Sequence, residues 1–170
     1  MSVIMDHRLI DKLYYEDFVT GIYFETDRRT ITKEDLDTFT KLSGDYNPIH
    51  TDPEYASTTA FGELIAQGAL VLSIGTGLAY DLHVLDGTVE AFLSLDWKYR
   101  APVKVGDSIF LTLAFVSKRP MLHYNGGLIN LDVAIYNQDR KAVQKGSWTL
   151  LVRSKNGTMD ENQTRHSMPT

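Results

Sequence analysis

Glu63-Leu-Ile-Ala-Gln-Gly-Ala-Leu-Val-Leu-Ser-Ile-Gly-Thr-Gly-Leu-Ala-Tyr80 is the stretch of sequence that decides the fold. The residues from Leu64 to Tyr80 carry no charge, and apolar side chains fall on nearly every side of a helix drawn through them. A helix without a polar face must be surrounded by protein. It is also shorter than the roughly 20 apolar residues that a bilayer span requires. The pattern therefore predicts a buried central helix from Glu63 to about Leu82.

The sequence after this helix alternates between apolar and polar residues over four segments, which is typical of strands with one buried face. Residues 137–140 (Asn-Gln-Asp-Arg) predict a hairpin turn between the last two strands. Strands that follow helices without βαβ alternation indicate an antiparallel α+β domain, with a curved sheet around the central helix. The predicted inward faces are Leu93, Leu95, Trp97 and Tyr99; Ile109, Leu111, Leu113 and Phe115; Ile129, Leu131, Val133 and Ile135; and Trp148, Leu150 and Val152.

Two helical signals precede the central helix. Thr32-Lys-Glu-Asp35 has the form of a capping box, and apolar residues at spacings of three follow it. Ser43-Gly44-Asp45 ends this amphipathic helix. Asp52-Pro53 then provides an N-cap and a proline at the first helical position, which predicts one further helical turn.

The composition indicates one globular domain. The 170 residues carry a net charge of −5 and contain no cysteine, which excludes disulfides, thiolate metal sites and cysteine nucleophiles. We expect a domain over residues 1–155 and a disordered polar tail over residues 156–170. The acidic balance argues against nucleic acid as a partner. With no signal peptide or membrane span predicted, we expect a cytoplasmic protein.

The candidate chemistry lies in the loop Ser43-Gly-Asp-Tyr-Asn-Pro-Ile-His50. Its turn residues can bring the carboxylate of Asp45 and the imidazole of His50 into one space, where both accept hydrogen bonds from one water. The spacing alone leaves a structural interpretation open, in which Asp45 caps a helix and His50 is an ordinary half-buried histidine. Other sites are excluded, because no two histidines lie within helical reach of each other for a metal and no complete dinucleotide loop or nucleophile elbow is present.

The residues around this loop resemble the MaoC-like, or (R)-specific enoyl-CoA hydratase, family. The resemblance rests on the Gly-Asp-x-Asn-Pro-x-His core at residues 44–50 and on Thr51-Asp-Pro-Glu-Tyr-Ala56 after it. It continues through residues 59–70, 99–107 and 143–153, so it covers roughly residues 15 to 155. The family has a hot-dog fold, a long helix held in a curved antiparallel sheet. The resemblance therefore implies the same α+β architecture that the hydrophobic pattern predicts.

The resemblance also implies a reaction, the reversible syn addition of water to a trans-2-enoyl thioester. Asp45 and His50 would hold and activate the water and move a proton to or from C2. Asn47 would brace the loop, and the backbone N–H of Gly68 would bind the thioester oxygen as it gains charge. A glycine there lets the carbonyl approach the backbone closely. Gln67 stands where the family often has a histidine, so we expect altered positioning and retained activity.

The resemblance implies further contacts and partners. Gln67, Thr76, Arg100 and Lys98 are candidate substrate-binding residues, with the two cations directed at CoA phosphates. Packing inside the helix for Thr76 and solvated strand ends for the cations remain open. No metal or cofactor is expected, since the substrate is a CoA or acyl-carrier thioester. We expect a homodimer or higher homo-oligomer. Two alternatives remain, a hot-dog acyl-CoA thioesterase and a non-catalytic subunit of a dehydratase heterodimer.

Overall fold

A central helix, Gly68–Tyr80, lies across one face of an antiparallel sheet in the computed structural model, which describes residues 5–121 and 123–155. Two short 3-10 helices precede the first strand, at His7–Leu9 and Tyr15–Asp17. The α-helices are α1 (Lys33–Ser43), α2 (Pro48–Thr51), α3 (Pro53–Ser57) and α4 (Gly68–Tyr80). The strands are β1 (Tyr23–Glu25), β2 (Arg29–Thr30), β3 (Val89–Tyr99), β4 (Ser108–Pro120), β5 (Gly126–Tyr136) and β6 (Ala142–Arg153).

The strands of the sheet follow the order β1-β4-β5-β6-β3, and the short strand β2 also pairs with β4. All of these pairs are antiparallel. The helix contacts the sheet closely at Gly75, where an added Cβ would lie 2.7 Å from Cδ1 of Ile135 and 3.2 Å from Cδ1 of Leu111. The missing side chain lets the helix backbone approach the sheet. This architecture confirms the predicted α+β class with a central helix.

The central helix is shorter than predicted, because it begins at Gly68 and ends at Tyr80. The residues before it are extended, with Ile65 paired to Lys104 and the Ala66 N–H donating to the Val103 carbonyl at 2.7 Å. Apolar residues in this extended segment are buried against neighbouring chain just as helical ones would be. Hydrophobicity alone therefore did not locate the start of the helix.

The prediction that protein surrounds α4 on all sides is also wrong for a single copy of the chain. One side of the helix is exposed along Ala69, Ser73, Thr76, Gly77 and Tyr80. Four of these five residues are small, so this side presents little apolar area although it carries no charge. The opposite side, which includes Val71, Ile74 and Leu78, is buried.

Strand β3 departs from the predicted alternation at one point. Its pairing with β6 shifts register between Phe92 and Ser94, as a β-bulge does. The extra residue places Phe92 on the inward face, where its ring lies 5.2 Å from that of Trp148. Leu93, predicted inward, falls at the bulge and is 52% exposed. Leu95 and Tyr99 keep the predicted face, opposite Trp148 and Gln144, but are 43% and 60% exposed because β3 is an edge strand. A period-two pattern cannot locate a bulge, because both neighbouring residues are apolar.

The predicted capping box and the predicted end of α1 are confirmed. The Thr32 hydroxyl accepts from the Asp35 N–H, the Asp35 carboxylate accepts from the Thr32 N–H, and Gly44 ends the helix with a φ of 75°. The hairpin over residues 137–140 is also confirmed, with the Asn137 side chain accepting from the N–H groups of Asp139 and Lys141. The short strands β1 and β2 were not predicted. The predicted tail lies outside the described residues.

Candidate active site

The loop between α1 and α2 is held by its own hydrogen bonds. The Ser43 hydroxyl donates to the Phe39 carbonyl at 2.7 Å and accepts from the Asp45 N–H at 3.2 Å. Asn47 is the N-cap of α2, and its side-chain oxygen accepts from the Ile49 N–H at 3.2 Å. Together these bonds fix the backbone on both sides of Asp45. The expected role of Asn47 in orienting the pair stays a prediction.

Asp45 and His50 meet across the loop. Oδ2 of Asp45 lies 3.8 Å from Nε2 of His50. The carboxylate side chain is 48% exposed and the imidazole only 12%, so the pair stands at the border between solvent and protein. Two acceptors at this separation can both contact one water oxygen at hydrogen-bond distances of about 2.8 Å.

A hydrogen bond at Nδ1 decides which nitrogen of the His50 ring carries the proton. Nδ1 lies 2.7 Å from the carbonyl oxygen of Ile65. A carbonyl only accepts, so Nδ1 carries the proton, and in the neutral ring Nε2 is left with a free lone pair. That lone pair is on the side of the ring facing Asp45. His50 therefore presents a base to anything held between the two side chains.

A cavity of about 510 Å³, the site pocket, opens beside His50. Most of its wall is apolar, and the few polar groups on it come from different elements. This combination is typical of a small-molecule site. The lining includes His50, Phe61, Ile65, Gly68, Tyr99, Arg100, Pro102 and Gln144.

Gly68 presents its backbone to this pocket. It is the first residue of α4, so its N–H has no acceptor within the helix, and it donates to no other described residue. The ring of Tyr99 covers the glycine so closely that an added Cβ would lie 2.6 Å from Cε1. A free N–H at a helix N-terminus is suited to an oxygen that carries negative charge.

Two buried glutamines connect this end of α4 to the rest of the protein. The Gln67 amide donates to the Thr40 hydroxyl on α1 at 2.8 Å, and its Oε1 has no partner among the described residues. The Gln144 amide on β6 donates to the Gly68 carbonyl at 3.0 Å and accepts from the Trp97 indole N–H at 2.8 Å. The first turn of α4 is thus tied to α1 on one side and to the sheet on the other.

The Gln144→Met variant tests this connection. The substitution keeps the side-chain length but leaves the Trp97 N–H and the Gly68 carbonyl without their partner, so we expect a stability loss of about 1–3 kcal/mol. We also expect kcat for hydration of an enoyl thioester, the reaction that the resemblance implies, to fall about tenfold. The reason is that a small displacement of Gly68 misplaces its N–H. Urea denaturation and steady-state kinetics measure the two effects. Trp97→Phe removes the indole donor and part of the ring that packs near Trp148 but leaves the bond from Gln144 to the Gly68 carbonyl, so it should lose less in kcat than Gln144→Met. An equal loss in kcat would contradict the connection.

The structure gathers some of the predicted site residues and separates others. His50, Gly68 and Arg100 line the site pocket, and Asp45 reaches it through His50. Gln67 is 2% exposed and is directed at Thr40. Lys98 lies on the face of the sheet turned away from α4, and Thr76 lines a separate pocket with Tyr80 and Phe92. Substrate contacts by these residues stay predictions.

Sequence reasoning did not single out Tyr99 and Gln144 as residues of the site. Tyr99 was assigned only to the inward face of its strand. Gln144 carried a usable signal, because the alternation that places Trp148 inward also places Gln144 there. A polar residue on an apolar face requires a hydrogen-bonding partner. What the pattern could not show was that this partner is the first turn of α4.

The described residues contain neither a metal-type cluster nor a membrane-spanning helix. No group of three or more His, Asp or Glu side chains in residues 5–121 and 123–155 is arranged as a metal site. No helix in this part of the chain is long and apolar enough to cross a membrane.

Comparison with known proteins gives a family match over most of the chain. The model of the MaoC like domain family matches residues 19–125. The chain is 34% identical over 107 residues to the (R)-specific enoyl-CoA hydratase of Rhodospirillum rubrum, an alignment covering 63% of this chain and 72% of that protein. It is 32% identical over 97 residues to the 3-hydroxybutyryl-CoA dehydratase of Methylorubrum extorquens, covering 57% of this chain and 60% of that protein.

Solved structures agree with this match. R-hydratase PhaJ1 from Pseudomonas aeruginosa, in its unliganded form, superimposes with a TM-score of 0.72 at 28% identity, covering 85% of this chain and 88% of that one. A Mycobacterium tuberculosis protein with a double hot-dog fold gives a TM-score of 0.75 at 16% identity, covering 86% of this chain and 46% of that one. At that identity the likeness shows the fold alone. It confirms the predicted hot-dog architecture.

Proposed function

Because the chain belongs to the MaoC-like domain family, we propose that it is a hydro-lyase that reversibly adds water to a trans-2-enoyl thioester. The observation that carries this proposal is the Asp45–His50 pair, 3.8 Å apart, beside a pocket lined by Gly68, whose N–H donates to no described residue. Relatives named enoyl-CoA hydratase and 3-hydroxybutyryl-CoA dehydratase support the same reaction class.

In the hydration direction, the pair activates water. The water donates one hydrogen bond to the Asp45 carboxylate and one to Nε2 of His50, and its oxygen attacks C3 of the enoyl group. His50 takes the proton as the new C–O bond forms. The electron pair of the double bond moves onto the thioester oxygen as an enolate. Transfer of a proton to C2 from the pair completes the 3-hydroxyacyl thioester, and dehydration is the reverse.

The enolate oxygen requires a donor that is already in place. The Gly68 N–H provides one at the N-terminus of α4, where the helix dipole adds a favourable partial charge. Gln144 holds the Gly68 carbonyl from the sheet, so the donor does not have to reorganise during the reaction. No cofactor or metal takes part in these steps, and the thioester itself supplies the electron sink.

The purified chain tests this function with crotonyl-CoA. We expect the enoyl-thioester absorbance to decay with formation of 3-hydroxybutyryl-CoA and without release of free thiol. Thiol release at the rate of absorbance loss would instead identify a thioesterase. Inactivity against a panel of enoyl-CoA and enoyl-carrier-protein thioesters of several chain lengths would identify a non-catalytic subunit.

We further propose a homodimer formed through strand β3. This strand is 11 residues long and forms one edge of the sheet, with β6 as its hydrogen-bonded neighbour. Phe92, Leu93, Leu95 and Tyr99 on it are 43–60% exposed. A long edge strand with exposed apolar side chains is prone to pair with another chain, and a second copy offers the same edge.

Sedimentation equilibrium tests the dimer. We expect the wild-type chain to sediment as a dimer at micromolar concentration and Leu95→Lys to shift it toward monomer, because the substitution places a charge in an apolar contact. Leu9→Lys is the matched control, since Leu9 is 84% exposed on a 3-10 helix away from β3. A monomeric wild-type chain, or equal effects of the two substitutions, would contradict the interface.

A further inference from the structure

A buried hydrogen bond joins α1 to the start of α4. The Gln67 amide donates to the Thr40 hydroxyl at 2.8 Å, and the two residues are 2% and 4% exposed. They lie 27 residues apart in the chain. No other hydrogen bond connects α1 with α4 or its N-cap in the part of the chain that the structure describes. Because apolar packing is not directional, the mutual orientation of the two helix ends depends on this bond.

The end of α1 that this bond fixes is the end that carries Asp45. Thr40 lies in the last turn of α1, and its carbonyl accepts from the Gly44 N–H at 2.9 Å where the helix ends. Asp45 follows directly, and its own N–H donates to the Ser43 hydroxyl at 3.2 Å. A shift of this last turn would therefore move the Asp45 carboxylate with it.

The other partner belongs to the segment that holds the remaining groups of the site. Gln67 is the N-cap of α4, and Gly68 follows it directly. Two residues before Gln67, the Ile65 carbonyl lies 2.7 Å from Nδ1 of His50. No hydrogen bond of the described residues joins Asp45 to this segment. The bond at Gln67 thus connects the helix that carries Asp45 to the segment that holds His50 and Gly68.

This polar pair has a cost for folding. Oε1 of Gln67 is buried and has no partner among the described residues. A buried acceptor without a donor loses its hydration and gains nothing in return, whereas two apolar side chains of similar shape would fill the same space without that loss. Local choices that lower stability are expected where function requires them. The contact is therefore better explained by what it orients than by the stability that it contributes.

We propose that Thr40 and Gln67 are positioning residues. Their bond sets the separation between the catalytic pair, Asp45 and His50, and the Gly68 N–H. This inference rests on the proposed function, since it concerns the same reaction. Water attacks C3 on one side of the site while negative charge develops on the thioester oxygen at the other, so both groups have to be in place at once. Gln67 then acts through its neighbours and does not contact the substrate.

The double variant Thr40→Val/Gln67→Met separates positioning from stability. It removes both hydrogen-bonding groups and retains side chains of similar shape. We expect its melting temperature to equal or exceed that of the wild type, because the unpartnered acceptor is gone. We expect kcat for hydration of crotonyl-CoA to fall about tenfold with KM within about twofold of the wild-type value, because only the transition state requires both groups in their correct places.

Two single variants serve as controls. Thr40→Ser keeps the hydroxyl that valine lacks, so it should retain most of the wild-type kcat. Thr26→Val is the matched control, because Thr26 is also buried and its hydroxyl accepts from the Leu111 N–H at 2.9 Å, outside the site pocket. Leaving that N–H without its partner should lower the melting temperature by about 2–4 °C or more and leave kcat unchanged.

The outcomes separate this inference from the proposed function. A double variant with the kcat of the wild type overturns only the positioning role, as does a fall in kcat that a lower melting temperature accompanies. A rise in KM at unchanged kcat would identify a substrate contact and would also overturn it. A wild-type chain that hydrates no enoyl thioester overturns the proposed function and this inference with it.

Discussion

The His50→Gln variant is expected to lose about 10²- to 10⁴-fold in kcat for enoyl-thioester hydration, the range that general acid–base groups contribute. Glutamine retains a hydrogen-bonding side chain of similar length but cannot take up the proton from water. The Ile65 carbonyl holds Nδ1 of the wild-type ring and leaves Nε2 free as the base. Asp45→Asn should lose activity in the same range, because the Asn47 N–H donates to Oδ1 and the amide oxygen keeps that place. The NH2 group then stands where Oδ2 faces His50, and the water loses that acceptor. Stopped-flow or steady-state absorbance assays measure both losses.

The activity losses of the two single variants should not add up in the double variant, and this expectation is more specific than either loss alone. Since the two side chains act on one water, the double variant Asp45→Asn/His50→Gln should be little worse than the worse single variant. Fully additive losses would show that the residues act separately and would contradict the shared water.

The chain contains its own matched control for this pair. Nδ1 of His83 lies 2.8 Å from Oδ2 of Asp86, a closer contact than the one between His50 and Asp45, and His83 is exposed. His83→Asn is the suitable substitution because His83 has a φ of 58°, which asparagine tolerates. We expect it to leave hydration unchanged, since the Asp–His contact requires the site pocket beside it. A loss comparable to that of His50→Gln would contradict this assignment.

The Gly146→Ala variant is expected to lose about 3 kcal/mol or more of the free energy of unfolding, at the upper end of overpacking effects. An added Cβ at Gly146 would lie 1.8 Å from the Asp96 carbonyl oxygen and 2.8 Å from Cε3 of Trp97. The first of these atoms belongs to the backbone of β3, so no side-chain rotation relieves the contact. The strands would have to separate where Trp97 donates to Gln144, which would also disturb the support of Gly68.

Urea denaturation measures this loss, and Gly77→Ala is the contrasting substitution. Gly77 lies in α4 with no atom within 4 Å of an added Cβ, so alanine there should stabilise the helix by up to about 1 kcal/mol. A Gly146→Ala variant within 1 kcal/mol of the wild type would contradict the close approach of β3 and β6 at this point.

Much of this protein follows from local sequence patterns. Period-two alternation located the four long strands, and the capping box located the start of α1. The Asp-x-Asn-Pro-x-His loop, with its resemblance to the MaoC-like family, pointed to Asp45, His50 and Gly68. Such features are readable because their physical causes act between residues a few positions apart in the chain, through turn chemistry, capping and side-chain direction.

Other features required the folded chain. The start of α4 at Gly68 depends on the pairing of Ile65 with Lys104, and the inward position of Phe92 depends on a bulge against β6. These contacts join distant parts of the chain, and an apolar residue is buried equally well in a helix or an extended segment. No local pattern could therefore distinguish the two.

The sequence by itself determined the fold class and the residue types available for catalysis. Only the tertiary structure decided which nitrogen of His50 is the free base, because that depends on the Ile65 carbonyl 15 residues away. Likewise, Gln144 reaches Gly68 across 76 residues, and Lys98 and Lys145 stand opposite each other only through the register of β3 on β6. The sequence determines the type of each side chain, whereas the contacts of that side chain depend on which distant residues the fold brings next to it.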